Sequence, residues 1–270
     1  MITINKQRLG ITVLGSGSAG NAIVLHADSG SILVDAGFSG KELQRRLELA
    51  EIDVSSIRAI LVSHEHGDHA KGVGVLARRW DLPVYANRQT AEVLCQKKSD
   101  FPALRIFTAG QGFEAEGFSV VPFSIPHDAV DPVAFTVHWR GRKVGIATDL
   151  GHVSHVTAHH LQQCDALVLE SNHDVGMLRD SNRPWSLKRR ILSRHGHLSN
   201  EAGLQLMADV LDARTQHVIF AHASCECNRY ELIEEAVGAR LRELGRTDLG
   251  TLVARQDEVL GTCWLDGGAR

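Results

Sequence analysis

The chain has 270 residues, 43% of them hydrophobic, enough to bury a sizeable core and within the length that one layered α/β domain reaches. Its formal charge of -3 excludes a globally basic nucleic-acid binder while leaving room for a local basic patch. No run approaches the roughly 18 consecutive apolar residues of a membrane span, and Met1-Ile2-Thr3-Ile4-Asn5-Lys6 lacks a charged segment followed by an apolar one; a cytoplasmic protein with no membrane partner, forming one domain over residues 1–270, is expected.

Three short strands open the chain, at residues 10–14, 22–26 and 31–35, separated by Gly/Ser turns. Between the first two, Gly15-Ser16-Gly17-Ser18-Ala19-Gly20 matches a dinucleotide-binding pattern. That site needs a helix to begin at the glycines, whereas Asn21-Ala22-Ile23-Val24-Leu25 reads as extended. A glycine-rich hairpin loop is expected, with a secondary chance for its backbone N–H groups to meet a phosphate. Ser39-Gly40-Lys41-Glu42 fits a capping box and opens a helix to about Ala50. A strand at 57–63, a helix at 69–80, a short strand near Val84 and a helix near 89–96 follow.

The middle is strand-rich, at 119–125, 133–139 and 143–148. After Asp149 come a helix, a strand at 166–170, a helix at 199–211, a strand at 217–221 and a helix at 228–244. A terminal pair, 251–255 and 258–265, closes the chain. Hairpins mixed with βα units argue for a mixed α/β (α+β) architecture, two mixed sheets sandwiched between helix layers, rather than a doubly wound parallel sheet.

Five scattered cysteines, Cys95, Cys164, Cys225, Cys227 and Cys263, read as thiols in a reducing compartment. Cys225 and Cys227 follow His222 and could bind metal, but a second pair at zinc-knuckle spacing is missing, and structural thiols are the better reading.

The chemistry concentrates in His64-Glu65-His66-Gly67-Asp68-His69, fed by the apolar strand Ile60-Leu61-Val62-Ser63. In extended chain residues two apart face the same way, so His64 and His66 can converge on one ion. Asp68 and His69, where the chain turns into the next helix, can point toward a neighbouring ion. Glu65 and Gly67 read as exposed filler and turn. Imidazole and carboxylate suit zinc, manganese or iron alike. A surface run of His and acid is the bland alternative, but four potential ligands in six residues behind an apolar strand disfavour it. His127, Asp149 and His222 each sit just past an apolar strand and complete a consistent ligand set; singly, each could equally be a satisfied structural polar residue.

With these residues in place the sequence resembles the metallo-β-lactamase superfamily in its phosphodiesterase and nuclease branch. Leu33-Val34-Asp35-Ala36-Gly37, the His64–His69 run, His127, Thr148-Asp149 and Ala221-His222 carry that resemblance. Gly15–Asn21, Pro126-His127-Asp128-Ala129, Leu169-Glu170-Ser171-Asn172-His173-Asp174, Gly196-His197-Leu198-Ser199-Asn200 and Cys225-Glu226-Cys227-Asn228 resemble the YycJ (WalJ) group of exonuclease-like proteins. The resemblance covers nearly the whole chain. It implies a four-layer αββα sandwich and two divalent transition-metal ions. His64, His66 and His127 would hold one; Asp68, His69 and His222 would hold the other. Asp149 would bridge them, and Asp35 would hydrogen-bond the ligand loop without touching metal.

Phosphodiester hydrolysis needs an activated water, neutralised phosphoryl charge and a protonated leaving group. Asp68, His197 and Glu170 are the candidate catalytic side chains. His197 precedes a helix that Ser199 could cap, and Glu170 ends a strand from which it could orient the imidazole. RNase Z has a similar order of Glu, His-Ser/Thr and last metal-binding His, implying that His197 is a general acid or transition-state stabiliser. The plain alternative is a helix-capping neighbour, and His195 competes weakly for the role.

Asp28 and Asp131 read as loop carboxylates, and His152, His155, His159 and His160 as a polar helix face. Arg179, Arg183, Lys188, Arg189, Arg190 and Arg194 crowd before His197 against one acid, Asp180. Such a run is usually a solvated face, but its position suits a nucleic-acid backbone, with Arg189, Arg190 and Arg194 as candidate contacts. Trp185 within it could stack on a base or serve the core.

A metal-dependent nuclease, specifically a DNA exonuclease, is the leading expectation from the resemblance, with nucleic acid, DNA first, as partner. A hydrolase of a small phosphodiester or thioester is the second reading, and a non-catalytic metal-stabilised regulatory or partner-binding protein the third. The interval from Asp149 to Arg194 is too short for the extra domain of the RNase J branch, and no long Gly/Pro-rich arm of the RNase Z kind is present.

Overall fold

The structure, a computed structural model, describes residues 8–96 and 101–265. The reading of the first six residues lies outside that range. In the first half β1 (Leu9–Gly15), β2 (Ala22–Ala27) and β3 (Gly30–Val34) form a meander, followed by α1 (Gly40–Leu49), β4 (Ile57–Leu61), α2 (Gly67–Ala70), α3 (Val73–Trp80), β5 (Pro83–Asn87), α4 (Arg88–Gln96) and β6 (Ala103–Phe107). The second half begins with β7 (Phe113–Ala115), β8 (Phe118–Ser124), β9 (Val133–Trp139) and β10 (Arg142–Ala147). It continues with α5 (His155–Leu161), β11 (Ala166–Glu170), α6 (Val175–Asp180), α7 (Trp185–Ile191), α8 (Asn200–Val210), β12 (His217–Ala221), α9 (Tyr230–Leu244), β13 (Gly250–Val253) and β14 (Cys263–Leu265).

The strands form two seven-stranded sheets, ordered β14-β1-β2-β3-β4-β5-β6 and β13-β12-β11-β10-β9-β8-β7. Each is antiparallel in its meander and parallel from there on, so both sheets are mixed. Strand alternation sorts the side chains into layers. Ile32 and Val34 face the core between the sheets with Ile11, Val137, Ile146 and Val168, while Leu33 faces outward with Leu43, Leu47, Val62 and Leu76. On the far side Leu167, Leu169 and Phe220 pack against Leu161, Leu206, Met207 and Ile233 of the covering helices. The result is the expected αββα sandwich.

Several boundaries differ from the sequence reading. The helix expected at 69–80 breaks into α2 and α3 at Gly72, whose backbone lies so close to Phe38 that an added Cβ would sit 2.4 Å from the Phe38 carbonyl oxygen. The terminal strands do not pair with each other: β13 extends one sheet beside β12, and β14, shorter than expected, closes the other beside β1. β6, β7, α6 and α7 were not anticipated. β6 and β7 are short edge strands, and the basic composition of α7 hides its one apolar face. Among the described residues no helix is long and apolar enough to cross a membrane.

Candidate metal centre and active site

The site forms where strands of both sheets end. Asp35 follows β3, His64 follows β4, His127 follows β8, Asp149 follows β10, Glu170 ends β11 and His222 follows β12. Asp35, Asp149 and His222 adopt left-handed backbone, at φ 59°, 61° and 59°. Non-glycine residues pay for that conformation, and such strain gathers at functional sites. Here it turns each side chain out of its strand line and across the rim.

The His66–His69 loop is pinned from beneath. Asn21 N donates to the Asp68 carbonyl at 2.7 Å and Ala36 N to the His69 carbonyl at 2.7 Å. Gly37 lies directly under this loop: a Cβ there would fall 1.7 Å from the Asp68 carbonyl oxygen. Asp35 accepts from Ser63 N at 2.8 Å, from Ser63 Oγ at 2.7 Å and from His69 Nδ1 at 2.7 Å. His69 Nε2 is thereby turned to the cleft, the usual service of a carboxylate behind a ligating imidazole.

Two donor sets converge. His64, His66 and His127 bring ring nitrogens within 4.8 Å of one another, and a carboxylate oxygen of Asp68 meets ring nitrogens of His69 and His222 within the same distance. His127 Nε2 and His66 Nδ1 face each other at 3.3 Å, and His222 Nε2 is 3.5 Å from Asp68 Oδ2. Asp149 reaches both sets, with Oδ1 3.6 Å from His127 Nε2 and Oδ2 3.1 Å from His69 Nε2. Among the described residues, His64 Nε2 is buried without a hydrogen-bond partner, and Asp149 Oδ2, although near His69, meets no donor in hydrogen-bond geometry. Buried polar atoms left in this way suit a bound ion, and the nitrogen and carboxylate donors fit divalent transition metals.

Electrostatics point the same way. Burial disfavours charge on Asp149, yet His222 and His69 hold its carboxyl well below the usual range. Burial likewise works against a charged His222, but Asp149, Asp68 and Glu170 outweigh it and push the imidazole up to about 10. His69 rises well above its ordinary value, against burial, because of Asp149 and Asp35. His64 is instead lowered, first by burial and then by His69. Protons on His69 and His222 thus balance the buried carboxylates, the part that a divalent ion would take in their place.

Glu170 serves two histidines. Its Oε1 accepts from His197 Nδ1 at 2.9 Å and from His222 Nδ1 at 2.8 Å, while Oε2 accepts from Leu150 N at 2.8 Å and Leu198 N at 2.9 Å. Burial opposes its ionisation, but His197 and His222 draw its carboxyl down to about 2. The sequence reading gave it only His197. Ser199 caps α8 as expected, its Oγ accepting from Ala202 N at 3.2 Å. His127 Nδ1 donates to the Gly196 carbonyl at 3.1 Å, tying the His197 loop to the first donor set.

The centre opens into a cleft of about 200 Å³, bordered by Asp68, His127, Asp149, His197 and His222 and faced by Arg183 and Arg190. Of Arg189, Arg190 and Arg194, only Arg190 lines it. Arg189 is exposed elsewhere, and Arg194 Nη2 lies 3.1 Å from His152 Nε2. Arg190 pairs with Asp128 at 2.7 Å and Arg183 with Glu226 at 2.9 Å. Trp185 is 65% exposed, which rules out a core role. His195 also lines the cleft but is exposed.

Glu65 departs from expectation: it is buried, and its carboxylate accepts from Val130 N at 3.1 Å. Cys227 is buried and Cys225 exposed, and neither joins a metal-competent group among the described residues. The glycine-rich loop supplies more than a turn, since Ser16 Oγ accepts from His222 N at 2.9 Å. Asn172, quoted above within the Leu169–Asp174 motif but given no role there, donates from Nδ2 to the His222 carbonyl at 2.8 Å.

Residues 31–222 match the beta-lactamase superfamily domain. The chain is 42% identical over 239 residues to Exodeoxyribonuclease YycJ of Bacillus anthracis, covering 88% of this chain and 90% of that protein. It is 36% identical over 243 residues to Exodeoxyribonuclease WalJ of Streptococcus pneumoniae, covering 88% and 89%. Among solved structures, the metallo-beta-lactamase fold protein YhfI from Bacillus subtilis superposes with a TM-score of 0.70 at 16% identity, over 94% of this chain and 99% of that one, a likeness of fold alone. This chain belongs to the beta-lactamase superfamily and, within it, to the family of YycJ and WalJ.

Proposed function

We propose that the protein is a metal-dependent phosphodiester hydrolase acting on nucleic acid, specifically a DNA exonuclease, with the whole chain working as one catalytic unit. The observation that carries this reading is the meeting of two donor sets around Asp149, with His197 held by Glu170 on the same cleft. We assign His64, His66 and His127 to one ion and Asp68, His69 and His222 to a second, with Asp149 shared. Zinc, manganese and iron all suit these donors. Two bound divalent ions would supply Lewis acidity toward the phosphoryl oxygens and a water activated at neutral pH.

The remaining steps belong to side chains. His197 delivers a proton to the departing oxygen from Nε2, while Nδ1 stays on Glu170. Asp68, with 24% of its side chain exposed against 3% for Asp149, is our candidate to take the proton lost by the attacking water. Arg183 and Arg190 receive flanking phosphates, exchanging Glu226 and Asp128 for a stronger anion. Cysteines free of disulfides among the described residues suit a reducing compartment, in keeping with action in the cytoplasm.

The small volume of the cleft also suits a small phosphodiester or a thioester, and one experiment separates the readings. Purified protein supplied with manganese or zinc is offered end-labelled DNA, RNA, a small phosphodiester and a thioester. DNA should be shortened from an end, and Asp149→Ala should lower that rate by about 10³-fold or more, since loss of a shared carboxylate disorganises both ions. Metal-loaded protein inactive on every nucleic acid would overturn the assignment.

A further inference from the structure

A second cavity, of about 370 Å³, lies beside the metal cleft, and His197 lines both. None of the residues assigned above to the two ions and no arginine lines the second one; Val153, Val175, Leu192, Leu198, Ala202 and Leu206 make its apolar wall, with His152, Gln205 and Asp209 in its polar part. Its volume falls in the range of small-molecule sites, roughly 300–1,000 Å³. Two further observations point to a ligand. His173, which also lines the cavity, is 1% exposed, and neither of its ring nitrogens has a hydrogen-bond partner among the described residues. Buried imidazoles are seldom left so. Leu192 presents an uncovered apolar surface, 42% exposed.

We propose that this cavity binds the nucleobase on the leaving-group side of the scissile phosphate, an inference that rests on the nuclease reading above. In an in-line displacement the nucleophile and the leaving oxygen occupy opposite faces of phosphorus. The metal donors mark the nucleophile's face and His197 the other, so the nucleoside attached to the leaving oxygen runs past His197 and meets this cavity. Its walls suit an uncharged planar ring, and His173 offers a hydrogen-bonding atom to the ring's edge. No arginine or lysine is there to receive a phosphate, and Asp209 in the wall would repel one.

The test crosses a cavity-filling variant, Ala202→Trp, with a substrate that lacks bases. Single-stranded oligodeoxynucleotide and a strand of equal length with tetrahydrofuran in place of every nucleoside are digested by wild type and variant. Ala202→Trp should lower kcat/KM on the base-bearing strand about tenfold, the scale of one lost base contact, and leave the abasic strand within about twofold. Equal losses on both strands, or none on either, would overturn the proposal. Binding of 2′-deoxyadenosine to metal-free protein, followed by ligand-observed NMR, gives a second readout: wild type should bind and Ala202→Trp should not. If Ala202→Trp fails to fold, His173→Phe takes its place, with weaker deoxyadenosine binding expected and unchanged binding contradicting the site. Protein that binds deoxyadenosine but cleaves no nucleic acid would sink the nuclease reading and leave the base site standing. Protein that cleaves DNA but binds no deoxyadenosine would do the reverse.

Discussion

His197 and His222 hang from one carboxylate oxygen of Glu170, yet we assign them different work, and substitution separates the two. His197→Ala should slow DNA cleavage about 10²- to 10⁴-fold, the worth of a positioned general acid, with bound metal unchanged. The loss should shrink on a p-nitrophenyl ester, whose leaving group departs without a proton. Metal loss in that variant, or an equal deficit on both substrates, would remove His197 from the acid's role. A second residue-scale test concerns His26, buried between Thr12 Oγ1 at 2.9 Å and Ser31 Oγ at 3.2 Å. Burial lowers its pKa from 6.5 to about 4. Above pH 6.5 the ring is neutral folded and unfolded, and its contribution is complete. As pH falls toward 4 the unfolded chain takes the proton first and stability drains away, by about 3 kcal/mol in all. Urea titrations across that interval should show a shallower pH dependence for His26→Gln; parallel curves would contradict it.

The strand-end histidines and acids were legible because each follows an apolar run, a pattern that survives in one dimension. The left-handed turns of Asp35, Asp149 and His222 were not, since no residue type announces them. α7 shows the same limit. The arginines on and before it were visible as a charge run, but which of them faces the cleft depends on where Pro184 starts the helix and Ile191 buries it. Arg190 on the helix and Arg183 just before it line the cleft, and Arg189 does not. In the inactive Asp149→Ala background, Arg183→Ala and Arg190→Ala should each reduce the slope of log affinity against log salt for single-stranded DNA by about 0.7. Arg189→Ala should leave it unchanged, and equal effects from all three would make the helix a diffuse cationic face.

At the scale of the whole molecule, the sandwich brings together residues from Asp35 to His222 because both sheets present strand ends to one rim. The layer order was readable from period-two alternation and from helices spaced along the chain. The closing strands were not: β13 and β14 are near neighbours in sequence, yet they end different sheets, a choice made by packing across the core and not by local pattern. We propose that this rim holds two ions. An anomalous difference map recorded at the manganese or zinc edge, from crystals grown with that ion, tests it directly. Two peaks roughly 3.5–4 Å apart are expected, one among His64, His66 and His127 and one among Asp68, His69 and His222, with Asp149 between. One peak alone, or none in protein that still degrades DNA, would contradict the account.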